Sequence, residues 1–199
     1  TNQNVVIVEI DDESYKLIPE SYPYSRGRVW SNVVENLSDA GARVIVFDIM
    51  FDAPDHSSTM VKNLLGDNCN NCPIADGDQL FINSINYANN NGTSIVLASK
   101  IAFDVSRIPM DYIINPNKKI MNANMNIGPV NQEADVLDHV IKRYPIFYKV
   151  SSEPDELYLS LAVQSVISFN NIKDIVITQD VENRIFSIND IKIKTFQKE

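Results

Sequence analysis

The sequence has 199 residues, 44% hydrophobic and 22% charged, which is the composition of an ordinary globular chain long enough to bury a core. Seventeen basic residues against twenty-six acidic ones leave a net charge of -9, which argues against a nucleic-acid surface or a site on anionic lipid, since no excess cation replaces phosphate counterions. No run of about 18 or more apolar residues occurs, so no segment reads as a membrane-spanning helix.

The chain opens without an initiator Met, a basic leader or an apolar leader segment, and is expected to be a soluble piece of something larger. Val5-Val6-Ile7-Val8-Glu9-Ile10 is a β-branched run without alternation, the pattern of a central strand buried on both faces, and it ends in Asp11-Asp12-Glu13. After a polar, proline-containing loop, residues 28–40 predict a helix. Trp30, Val33, Val34 and Leu37 form its apolar stripe, and Gly41 stands at the expected C′ position. Arg43-Val44-Ile45-Val46-Phe47-Asp48-Ile49 is a second buried strand. Strand, helix and strand in this order predict a right-handed crossover with the two strands parallel. Residues 52–77 read as a long connection. Residues 78–90 predict a helix with Leu80, Phe81, Ile85 and Ala88 inward, stopped by Asn90-Asn91-Gly92, and Ser94-Ile95-Val96-Leu97-Ala98 a third strand.

The second half is less regular. Residues 112–126 are Asn-rich and show no clear period, and 139–150 look extended, with Pro145 marking an edge or a bulge. Residues 157–169 carry a helical stripe of Leu157, Leu161, Ala162 and Val166, stopped by Asn170-Asn171. Strands are expected over 175–178, 184–188 and the alternating 191–194. The fold class expected is α/β: a mixed, mostly parallel central sheet with flanking helices and a more antiparallel C-terminal part, in a single domain over 1–199, possible truncation at its C-terminal end included.

The best chemical constellation is acidic. Ligands of open α/β sheets bind beyond the carboxyl ends of the strands. The first strand brings Glu9, Asp11, Asp12 and Glu13 to that edge, and the second brings Asp48, followed by Asp52 and Asp55. Convergent carboxylates hold Mg²⁺ or Ca²⁺, or are neutralised from within, here by Arg26 and Arg28. The ion-paired reading carries the greater weight, and a metal-dependent hydrolase built on Asp11, Asp12 and Asp48 is the alternative. Cys69 and Cys72 form Cys-Asn-Asn-Cys in a polar stretch; a local disulfide and two idle thiols both remain open. His56 and His139 lack metal-pair spacing, no Gly-x-Ser-x-Gly or phosphate-binding loop is present, and the sequons at Asn36 and Asn91 are read as chance.

Several segments together resemble one family. Val6-Ile7-Val8-Glu9-Ile10-Asp11-Asp12-Glu13-Ser14 is similar to the opening of CHASE2 domains, and Tyr22-Pro23-Tyr24-Ser25-Arg26 to their Trp-Pro-Trp-Pro-Arg segment, with tyrosines for both tryptophans. Ala40-Gly41-Ala42-Arg43-Val44-Ile45-Val46-Phe47-Asp48-Ile49-Met50-Phe51 resembles the family's Ala-Gly-Ala strand, and Asp76-Gly77-Asp78 follows in order. Gly128-Pro129-Val130-Asn131, Arg143-Tyr144-Pro145-Ile146 and Tyr158-Leu159-Ser160-Leu161-Ala162 resemble later segments. The resemblance implies an extracytoplasmic sensory module of a bacterial membrane receptor, flanked by membrane helices, with a nucleotide cyclase, diguanylate cyclase or kinase as cytoplasmic output, and no catalysis by the module itself. It implies no particular cofactor or ligand. The partners expected are an unidentified small ligand or ion, the parent's membrane helices and a second copy in a homodimer, but no nucleic acid. The candidates for ligand binding or signalling are Asp11, Asp12, Ser14, Arg26, Asp48 and Asp52, with Arg26 expected to fold over Asp11 and Asp48.

Overall fold

A computed structural model describes residues 5–65, 75–132, 139–141 and 143–195. Its centre is β2 (Ser94–Phe103). β1 (Val44–Phe47) pairs parallel with it, Val44 opposite Ser94 through Phe47 opposite Leu97. β4 (Ile127–Pro129) pairs parallel on the other side, Leu97 opposite Ile127. Residues 100–103 of β2 run beyond β1 and pair antiparallel with β3 (Asp111–Ile114). The sheet is therefore mixed with a parallel centre, as the sequence predicts.

Helices cover both faces. A π-helical turn (Arg26–Trp30) runs straight into α2 (Ser31–Asp39), and α4 (Gly77–Asn90) packs beside them. Val34, Phe81 and Ile85 meet Ile45, Phe47, Ile95 and Leu97 in the main core. α6 (Leu161–Phe169) packs against β1, β2 and β4. Val96 and Ala98, which alternate with Ile95 and Leu97, are buried as well. A strand buried on both faces needs apolar residues at every position, which is why 95–98 show no polar alternation. The N-terminus of α6 lies so close to β4 that a Cβ on Gly128 would stand 2.6 Å from the Leu161 Cα.

The C-terminal part is antiparallel. β5 (Phe147–Val150) and β6 (Glu153–Leu159) form a hairpin with an irregularity between Tyr148 and Val150. β7 (Ile177–Asp180), β8 (Ile185–Ile188) and β9 (Ile191–Lys194) form a meander. Phe186 and Ile188 pack with Leu159, Val163 and Ile167 in a second core cluster. Three helices end the same way. The N–H of Ala42 reaches the Leu37 carbonyl, that of Thr93 the Ala88 carbonyl and that of Ile172 the Ile167 carbonyl, across left-handed Gly41 (φ 85°), Gly92 (φ 84°) and Asn171 (φ 52°). This is the Schellman arrangement, and all three stops are those predicted.

The structure departs from the sequence expectation in several places. Residues 5–10 are extended but form no strand, and Val6 and Ile7 are 82% and 84% exposed; a β-branched run sets strand propensity but cannot supply the neighbour whose hydrogen bonds make a strand. The parallel partner of β1 is consequently β2, reached through α4. The 52–77 connection contains α3 (His56–Leu65), whose start is capped by Asp55. The helix expected at 157 begins at Leu161, because β6 takes Leu157 through Leu159. In the segment without a clear period, β3 is followed by α5 (Lys118–Ala123). Strand β7 lies two residues beyond its expected position.

Candidate functional site

β1 is an edge strand: β2 pairs with one side of it, and no described strand pairs with the other. Along that open edge lies a cavity of about 840 Å³. Its lining takes in the whole of β1, the extended run from Val6 to Ile10, and Trp30, Val33 and Leu37 from the π turn and α2. α2 presents those residues because Trp30, Val33 and Leu37 fall on the face that also carries Val34 into the core. Glu9, Ser14, Arg43 and Asp48 bring charge and hydrogen-bonding groups to an otherwise apolar lining. The Arg43 guanidinium lies over the Phe169 ring, 4.7 Å from its centroid. Tyr24 also lines the cavity; its hydroxyl is buried with no hydrogen-bond partner among the described residues. Burial, then the charges of Tyr15 and Glu20, push that phenol above its ordinary range.

A chain of ring contacts leads inward from this wall. Tyr15 and Tyr22 meet Tyr24, Tyr24 meets Trp30, and Trp30 meets Phe47 and Phe51 at 5.9 and 6.2 Å. Phe51 in turn carries the Arg26 guanidinium 5.1 Å from its centroid.

Arg26 is 7% exposed and belongs to a second, polar cluster. Its guanidinium is ion-paired to Asp78, and its backbone N–H donates to Asp55 Oδ1 at 2.8 Å. The Asp55 N–H donates to the other Asp78 oxygen at 3.3 Å. Asp55 Oδ2 accepts from both the N–H and the hydroxyl of Ser58 at 2.8 Å, and the Ser58 hydroxyl accepts from the Gly77 N–H at 2.8 Å. Asp55 caps α3, Asp76 caps α4, and the Lys119 ammonium pairs with Asp76 at 2.8 Å. The cluster thus joins the π turn, α3 and α4 through an ion pair and buried hydrogen bonds, and its chemistry is that of a lock.

The six candidates from the sequence are divided by the fold. Ser14 and Asp48 line the cavity. Asp11 is exposed and caps α1 (Asp12–Leu17): its carboxylate accepts from the Ser14 N–H at 2.9 Å, while the Ser14 hydroxyl accepts from the Asp11 N–H. The Ser14 backbone and hydroxyl hold the Asp11 carboxyl below its ordinary range. Asp12 is exposed in the first turn of α1, and Asp52 is exposed after β1. Arg26 is not folded over Asp11 and Asp48; its carboxylate partners are Asp78 and Asp55. The physical reason is helix capping, which commits Asp11 to Ser14. Cys69 and Cys72 lie outside the described residues.

Sequence reasoning missed Asp78 and Ser58, and Asp55 only stood in the acidic rim. Asp55-His56-Ser57-Ser58 carries a cap residue followed three positions later by a serine, a local signal for a helix start. No group of three or more His, Cys, Asp or Glu placed to hold a metal ion occurs among the described residues. Among them, too, no helix is long and apolar enough to cross a membrane.

A family model described as CHASE2 domain matches residues 1–197. Neither the curated proteins nor the solved structures contain a match to the chain.

Proposed function

The chain belongs to the CHASE2 domain family, known for extracellular sensor domains of transmembrane signalling receptors, and on that premise we propose that it is the extracytoplasmic sensory part of a bacterial membrane receptor. Its state controls a cytoplasmic output of the cyclase, diguanylate cyclase or kinase kind. The observation that carries this reading is the family match along the chain, and the cavity beside β1 supplies it with an input site. A largely apolar cavity with a few convergent polar groups suits a small, mainly apolar ligand. Glu9, Ser14, Arg43 and Asp48 are the groups that orient it. A sensor needs a ligand with different affinities for two arrangements of the protein, and a wall made partly of an unpaired chain segment offers two arrangements.

Two measurements on the whole parent protein test this. Ile108 is 99% exposed; an Ile108→Cys variant without Cys69 and Cys72 should react with a membrane-impermeant maleimide on intact cells. Labelling only after lysis removes the extracytoplasmic placement. Val33→Trp and Leu37→Trp fill the cavity, and each should shift the basal output of the parent protein in its membrane while the ectodomain stays folded. Unchanged output in both removes the cavity as the input site.

A further inference from the structure

Val6 to Ile10 of the apolar run and the open edge of β1 border one cavity, and among the described residues neither has a strand partner. Val5, Val6, Ile7 and Val8 are 67%, 82%, 84% and 65% exposed, an arrangement that leaves four adjacent β-branched side chains in water. Among the described residues the segment is anchored at its C-terminal end. Ile10 packs against the main core, and the next residue, Asp11, is fixed in the capping box of α1. β1 for its part has an edge with which no described strand pairs, and such an edge is a template for one more strand. The chain between residue 10 and β1 runs through α1, the π turn and α2, and α2 lies on the sheet face. A helical connection of this kind joins parallel neighbours.

We propose that residues 5–10 are a docking strand that pairs parallel with the open edge of β1 and fills the cavity, the arrangement described above being the undocked member of a two-state pair. Ile10 is the pivot, and the Val6 and Val8 side chains move from water onto the α2 side or its opposite as the strand closes. The device does not depend on the sensing role. If the cavity is the input site, docking and ligand exclude one another, so a ligand holds the strand out; that consequence alone rests on the sensing role.

The test is residue-resolved amide hydrogen exchange on the intact 199-residue chain with no ligand added. Docking predicts that amides of 5–10 exchange about tenfold or more slower than an unstructured chain, yet about tenfold or more faster than the Val96 amide in β2. The protection must not change with protein concentration. Exchange of 5–10 at the free-chain rate overturns the proposal, and so does protection equal to that of Val96, which leaves no undocked state. Protection that grows with concentration overturns it in favour of strand exchange with a second copy. A Val6→Pro/Val8→Pro variant removes two donors from the run and should abolish the slowing at 5–10 and at outward-facing β1 amides; the unsubstituted chain decides the matter should that variant not fold. Neither readout involves a ligand or an output, so docking and sensing can fail separately.

Discussion

The carboxylate of Asp55 that starts α3 also accepts the backbone N–H of Arg26 that starts the π turn, at 2.8 Å across 29 residues of sequence. With the Arg26–Asp78 ion pair, it fixes the point where three helical elements begin.

Arg26→Met is therefore expected to cost about 3–5 kcal/mol in urea unfolding, since it leaves Asp78 buried without its counter-charge. Arg28→Met is the control: Arg28 pairs with Glu20 at 3.2 Å but is largely exposed, and its loss should cost at most about 1 kcal/mol. Equal effects would show that Arg26 does not act through a buried pair.

Gly77→Ala lies in a helix, where alanine is ordinarily favoured by about 1 kcal/mol. Here the new Cβ would stand 2.5 Å from the Asp55 carboxylate, so the substitution should destabilise instead. Gly128→Ala meets backbone of α6 rather than a side chain and should cost about 1–3 kcal/mol or more. Thermal unfolding of the two variants checks both signs; a stabilised Gly77→Ala would remove the lock as described.

Much of this was legible from the chain, and the boundary has a physical cause. Gly41, Asn91-Gly92 and Asn170-Asn171 foretell helix ends because a Schellman turn is made by neighbours within six residues. The Arg26 partners lie 29 and 52 residues away, and nothing local selects Asp55 and Asp78 over Asp11 and Asp48. What was local pointed the other way: Asp11 precedes Ser14 by three residues, a cap, and is thereby withdrawn from longer-range pairing. The run 5–10 was legible in character but not in company, since composition states that a segment suits a sheet and not whether it has joined one.

Asn131 shows what a motif residue does here. Its side-chain oxygen accepts from the Ile101 N–H at 2.7 Å and its amide donates to the Ile101 carbonyl at 2.8 Å, continuing the β4–β2 ladder with a side chain. Asn131→Leu should cost about 1–3 kcal/mol for the stranded backbone groups, and should speed exchange at the Ile101 amide. An unaltered Ile101 rate would show that water takes over both bonds.

The α1 cap responds to acid with a defined sign. The Asp11 carboxyl is held below its ordinary 3.8, first by the Ser14 N–H and then by the Ser14 hydroxyl. Its contribution is present above the unfolded value and is lost as pH falls through the lower folded value. The Ser14 amide shift, followed by NMR, should titrate with a midpoint below 3.8; a midpoint at or above it would mean that the box is open in solution.

Trp30 is the sole tryptophan of the chain, and it stands at the boundary between the cavity and the aromatic interior. Its indole emission is thus a native, label-free optical gauge of that space: whatever enters beside β1, whether an added molecule or the chain's own first residues, changes the polarity around one fluorophore with no second tryptophan to dilute the signal.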